Sequence, residues 1–149
     1  MSDRPIGTFL SGGLDSSLVA ALIKKYHREE FDRDTRLNTF SVGLEGSPDL
    51  AYADIVAKHI QSSHHHVEIH PDDCLNALED VIYATETFDV TTIRASTPMY
   101  LLSKYIRDNT DDIVIYSGEG SDEVTQGYLY FKKQPSTREG AMESKRLME

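Results

Sequence analysis

Residues Ser11–Ser17 read SGGLDSS and follow directly on the apolar run Ile6-Gly7-Thr8-Phe9-Leu10, and this junction constrains the chain more than any other stretch. A buried strand ending in Ser-Gly-Gly gathers several backbone N–H groups around one point, and a helix starting near Asp15 adds the positive end of its dipole there. Adjacent glycines let the backbone approach an anion closely and take dihedrals closed to other residues, while Ser11, Ser16 and Ser17 supply hydroxyl donors. Such a point suits a phosphate chain. Asp15 is the odd member, because a carboxylate facing a polyanion is repulsive unless a divalent cation lies between. Its presence argues for phosphate bridged by Mg²⁺.

The segment is not the GxxxxGK[ST] phosphate loop: no Lys follows the glycines and the spacing differs. It resembles instead the pyrophosphate-binding loop of ATP pyrophosphatases. That resemblance implies cleavage of ATP to AMP and pyrophosphate, which activates a carboxylate or carbonyl. A bare Ser-Gly-Gly turn arises often by chance between strand and helix; LDSS following it makes chance a poor account.

Hydrophobic pattern and chain breakers give strand and helix in alternation. Ile6–Leu10 reads as a strand, and Ser16 to about Arg28 as a helix with Leu18, Val19, Ala21, Leu22, Ile23 and Tyr26 at helical spacing. The charged run Lys24–Arg36 reads as a solvated helix end and loop. Leu37–Leu44 is a second strand, and Ser47-Pro48-Asp49 starts a helix to about Gln61, with Ser as cap and Pro at the first helical position. His64–Ile69 is a third strand. Pro71-Asp72-Asp73 opens a helix whose Leu75, Leu78, Val81 and Ile82 share one face. Phe88–Ser96 is expected to be irregular, with a helix over about Pro98–Asp108 and a fourth strand at Asp112–Tyr116. This alternation predicts an α/β fold built on a doubly wound parallel sheet.

At 149 residues the chain has the length of one domain and can bury about two thirds of its unfolded surface. The formal net charge of −10 argues against non-specific nucleic-acid binding, so an anionic substrate must be handled locally by metal, helix dipole and a few cations. No apolar stretch approaches the roughly 20 residues that span a bilayer, and Met1–Gly7 does not resemble a signal peptide. The single cysteine, Cys74, excludes an internal disulfide framework and reads as a packed or half-buried thiol on a helical apolar face. A cytoplasmic setting follows as the expectation.

A second glycine-rich loop, Ser117-Gly118-Glu119-Gly120-Ser121-Asp122-Glu123, follows the fourth strand and precedes a helix. In open parallel sheets ligands lie beyond the carboxyl ends of strands where the strand order reverses, which predicts that the loops after the first and fourth strands are neighbours. Crowding Glu119, Asp122 and Glu123 into one tight loop costs folding energy through repulsion, which favours a metal or proton-transfer role over a merely solvated acidic helix start.

SGGLDSS, FSVGLEGSPDL, ETFDVTTIRASTPMYLLSKYI and SGEGSDEVTQGYLYF, in this order, resemble the synthetase domain of the glutamine-dependent asparagine synthetase family over nearly the whole chain to about Pro135. The resemblance implies a nucleotide alpha hydrolase-like (ATP pyrophosphatase) core over 1–135, with a polar, truncated tail over 136–149. It implies that Asp15 and Asp122 hold Mg²⁺ on the pyrophosphate of ATP, which Ser11, Gly12, Gly13, Ser16 and Ser17 cradle. Leu10, Val42, Ser117 and Gly118 would form the adenosine pocket, largely through backbone. Glu119 would face the reacting aspartate and ammonia, positioning the nucleophile and taking its proton. Thr91, Thr92 and Arg94 would border substrate and phosphate, although a plain surface cation is an alternative for Arg94.

The implied reaction activates the aspartate side chain as an acyl-adenylate, from which ammonia displaces AMP to give asparagine. The family's glutaminase domain has an N-terminal cysteine nucleophile; here Ser2 follows Met1, so a glutaminase domain or partner chain is expected elsewhere and glutamine hydrolysis by this chain is not expected. A sibling AMP-forming ligase of the β-lactam synthetase type, and an inactive truncated fragment that only binds nucleotide, are the alternative readings. His64, His65, His66 and His70 invite a zinc site, but alternate strand residues face opposite ways, so only His64 and His66 converge and an exposed edge-strand cluster is expected. Tyr128, Tyr130 and Phe131 read as core and pocket wall rather than a base-stacking platform.

Overall fold

The computed structural model of the chain describes residues 4–30 and 36–148, in two compact units, Met1–Ser117 and Gly118–Glu149. In the first unit β1 (Ile6–Phe9), β2 (Asn38–Leu44), β3 (Ser63–Ile69) and β4 (Val114–Tyr116) form one four-stranded sheet in the order β3-β2-β1-β4. Every pairing is parallel, with Thr8 opposite Thr39 on one side and Tyr116 on the other. The chain walks outward from β1 to β3 and then returns to the far side of β1. The strand order therefore reverses between β1 and β4, which is where the sequence places the switch point.

Helices cover both faces, so the parallel sheet is doubly wound as expected. On one face α1 (Leu14–Glu30) and α2 (Pro48–Ile60) bury Ala20, Ala53 and Ala57 against Leu10. On the other, α5 (Val90–Asn109) sets Leu102 and Ile106 on Phe40, whose ring is fully buried. Burial of each such large side chain contributes about 1.5–3 kcal/mol. Phe40 also needs Gly7: a Cβ there would stand 2.6 Å from its Cε2. The small residues on α1 and α2 bring those helices close to the sheet, and close approach is what lets the β1–α1 turn lie against α2.

Several boundaries differ from the sequence reading. The helix opened by Pro71 breaks at Ala77 into α3 (Pro71–Asn76) and α4 (Leu78–Thr85), so Leu75 leaves the shared face and is 65% exposed while Val81 is fully buried. Cys74 is half-buried on α3, as expected. Ser47 occupies the cap position of α2 without a side-chain cap bond. α1 continues through Glu30; the rest of the predicted loop, 31–35, lies outside the described residues, as does Ser2.

α5 is the largest departure. It begins at Val90, not near Pro98, because Asp89 caps it: the Asp89 carboxylate accepts from the Thr92 backbone N–H at 2.7 Å and the Thr92 hydroxyl at 2.9 Å. That anchor keeps the carboxyl of Asp89 below the usual carboxylate range. Pro98 then sits inside the helix, where it removes one backbone donor, while the preceding Thr97 hydroxyl donates back to the Ile93 carbonyl at 2.7 Å. β4 is a short edge strand with Tyr116 42% exposed.

The second unit contains α6 (Ser121–Thr125), a 3₁₀ turn over Leu129–Lys133 and α7 (Thr137–Met148). Most of the polar tail is thus helical. Phe131 is buried, and Tyr130 stacks on it with ring centres 4.7 Å apart. The Ser144 hydroxyl of α7 donates to the Glu123 carbonyl of α6.

Candidate nucleotide site

The site is built from the end of β1 outward. The Leu10 N–H donates to the Phe40 carbonyl at 2.8 Å and its side chain fills the core beside α2, so only its carbonyl is left to face a ligand. The chain then turns through Ser11, Gly12 and Gly13 into α1. Gly12 takes φ +81°, and a Cβ on it would lie 2.6 Å from the Ala53 backbone N of α2. No side chain fits there. Gly13 is less constrained, since a Cβ would meet nothing closer than Ser11 Oγ at 3.5 Å.

The serines of this turn bond among themselves. The Ser11 N–H donates to Ser16 Oγ at 3.2 Å, the two hydroxyls are 2.9 Å apart, and Ser16 Oγ donates to the Gly13 carbonyl at 3.3 Å. The Gly13 N–H donates to Ser11 Oγ at 3.4 Å. All four are long or shared bonds at an exposed surface, which an anion's stronger charge-assisted bonds can replace. Ser17 differs: its hydroxyl is buried and has no hydrogen-bond partner. A buried hydroxyl without a partner costs about 1–3 kcal/mol, and it stands in the first turn of the 17-residue α1, where unsatisfied N–H groups and the helix dipole favour negative charge. Asp15 lies in that same first turn.

β4 brings Ser117 to the neighbouring strand end. The Thr8 hydroxyl donates to the Tyr116 carbonyl at 3.1 Å, tying the last residue of β4 to β1 just before the chain reaches Ser117. Val42 lies near the end of β2, packed toward the Phe40 cluster on the face opposite to α2. Thr91, Thr92 and Arg94 are all exposed on the first turns of α5 rather than in an irregular segment. A helix that packs on a parallel sheet and returns the chain to the next strand starts at the strands' carboxyl end, so α5 presents these residues at the same end of the sheet as the β1–α1 turn. The Thr92 hydroxyl is already engaged by Asp89.

Gly118, Glu119 and Asp122 belong to the second unit, where the Ser121 N–H and hydroxyl both reach the Gly118 carbonyl, at 3.3 and 2.8 Å. Gly120 takes φ +83° and turns the loop into α6. The Tyr128 hydroxyl donates to the Glu123 carboxylate; this pair pushes Tyr128 up to about 12 and holds Glu123 low.

Among the described residues no three His, Cys, Asp or Glu are grouped to hold a metal. His64 and His66 do share one face, as expected, but they converge on Asp54 of α2, at 3.6 and 3.5 Å. Nor is His64 exposed. It is nearly buried, with Nδ1 2.8 Å from the Thr39 hydroxyl and Nε2 3.1 Å from that of Ser41. No spacing in the sequence signals this polar seam beneath α2, because Thr39 and Ser41 come from β2, Asp54 from α2 and His64 from β3. The Asp89 cap, by contrast, was readable as an Asp just before a helical run. No helix of the described residues is long and apolar enough to cross a membrane.

Comparison with known proteins agrees with this fold. An NH3-dependent NAD synthetase from Campylobacter jejuni shares the fold, with a TM-score of 0.51 over 85% of this chain and 52% of that one, at 20% identity. Glutamine-hydrolysing asparagine synthetases from Gallus gallus, Bos taurus and Homo sapiens are each 55% identical over 148 residues. That match takes in 99% of this chain and 26% of each relative, so the chain spans about a quarter of their length. The model of the asparagine synthase family matches residues 1–148, and the chain belongs to that family of enzymes.

Proposed function

We propose that the chain is the ATP-handling part of an asparagine-forming ligase, working in a cytoplasmic setting. One observation supports this above others: at the sheet's switch point a turn that admits only glycine at position 12 leads into a long helix whose first turn holds the buried, unpartnered Ser17 hydroxyl. A pyrophosphate there would accept from the turn N–H groups and from Ser11, Ser16 and Ser17. Mg²⁺ is commonly held by one or two carboxylates together with substrate phosphates, and the donor set of Asp15 and Asp122 fits that habit. When bound, the ion would neutralise phosphate charge beside those carboxylates.

The chemistry proposed is acyl transfer in two steps. The aspartate side-chain carboxylate attacks the α-phosphorus of ATP, an O–P bond forms, and pyrophosphate leaves with the broken bond's electrons. Ammonia then attacks the activated carbon of β-aspartyl-AMP; the C–N bond forms, AMP departs, and Glu119 takes the proton released by the nitrogen. Backbone near Leu10, Val42, Ser117 and Gly118 would border adenosine, and Thr91, Thr92 and Arg94 the aspartate and phosphates. A glutaminase domain or partner chain would supply ammonia. Calorimetric titration with ATP, with and without Mg²⁺, tests the binding claim in the parent chain, Asp15→Asn and Asp122→Asn. Loss of Mg²⁺-dependent affinity in both variants is expected, and equal, Mg²⁺-independent affinity in all three refutes it. Adding aspartate and ammonium and assaying pyrophosphate and asparagine, with Glu119→Gln as control, separates turnover from binding alone.

A further inference from the structure

We propose that Gly127 is a positioning residue for Asp122, an inference that rests on the reading of Asp122 as an Mg²⁺ ligand. Gly127 is exposed and its backbone is not in the left-handed region, so the main chain there does not itself demand glycine. What excludes a side chain is Asp122 alone. A Cβ on Gly127 would stand 2.0 Å from Asp122 Oδ1, 3.1 Å from its Cγ and 3.4 Å from its Cα, and these are the nearest atoms it would meet. The missing side chain is the space in which the carboxylate lies.

The turn that creates this space is fastened at several points. Gln126 closes α6 in the left-handed conformation at φ 60°, and the Gly127 N–H donates to the Asp122 carbonyl at 3.0 Å. One residue further on, the Tyr128 hydroxyl donates back to the Glu123 carboxylate, and the Glu123 carbonyl accepts from Ser144. With both sides of the turn tied, the backbone at Gly127 cannot drift away from a methyl group. The Asp122 side chain must move instead. Metal ligands tolerate displacements of only a few tenths of an ångström, so the cost falls on the metal-coupled step.

Gly127→Ala in the full chain tests this, read by the Mg²⁺ concentration that half-saturates ATP binding in calorimetry, beside metal-free ATP binding and thermal unfolding. A rise of about tenfold or more in that concentration, with metal-free binding unchanged, is the expected result, the size being typical for loss of a group that orients a metal ligand. Asp122→Asn is measured in parallel. If Asp122→Asn weakens the coupling but Gly127→Ala matches the parent, the positioning role is overturned and the ligand reading stands; if Asp122→Asn matches the parent, both fall. Should Gly127→Ala not fold, the pair Asp122→Ala and Asp122→Ala/Gly127→Ala decides. Equal folding of that pair shows that the carboxylate alone forbade the methyl, whereas failure of the double variant overturns the proposal.

Discussion

Gly12 lies against the backbone of Ala53 so closely that a Cβ on Gly12 would stand 2.6 Å from the Ala53 nitrogen. Through this contact the phosphate-type turn and α2 set each other's position. Gly12→Ala is expected to cost about 1–3 kcal/mol for the left-handed dihedral, with the backbone collision adding to it. Gly13→Ala should stay within about 0.5 kcal/mol. Urea unfolding of both variants checks the contrast, and similar midpoints would contradict it.

The Ser17 hydroxyl has no partner in its buried position. Ser17→Ala should therefore stabilise the nucleotide-free chain by about 1 kcal/mol while weakening its binding of ATP. Thermal unfolding without and with ATP measures both effects. A destabilised, normally binding variant would show the hydroxyl to be structural.

Burial lowers His64 below its ordinary 6.5, against the pull of the Asp54 carboxylate, with His66 and His65 adding to the lowering. The unfolded chain then binds the proton more readily than the folded one. Stability is accordingly full above 6.5 and falls as pH drops through that value, levelling below the lowered folded pKa. His64→Gln should flatten this acid limb in melting temperature measured between about pH 5 and 8. Asp54→Asn, which removes the opposing charge, should steepen it.

Tyr128 is held protonated up to about 12 by the hydrogen bond it donates to Glu123. Phenolate absorbance followed during alkaline titration should show Tyr128 titrating last, with Tyr130, which burial also raises, later than an ordinary tyrosine. Glu123→Gln should return Tyr128 toward 10, since the neutral amide no longer penalises the phenolate. An unchanged titration in that variant would rule out the pair.

Local chemistry settled much of this molecule in advance. Alternating apolar runs and breakers placed the strands within two residues or so, because strand burial and turn residues are nearest-neighbour properties, and parallel strands joined by helices left few sheets to choose from. SGGLDSS announced its turn for the same reason: Gly12 answers to a dihedral as well as to a neighbour. Tertiary structure decided what depends on residues far apart. It kept α5 unbroken through Pro98, since packing of Leu102 and Ile106 on Phe40 holds a helix that propensity alone would end, while the local Asp89 cap set its start at Val90. It buried His64 by laying Asp54 of α2 over Thr39 and Ser41 of β2. It also set Gly127 against Asp122, a contact made by the closing turn of α6 and visible in no single spacing. Sequence order encodes periodicity and caps; which side chains share a space is fixed only when the elements pack.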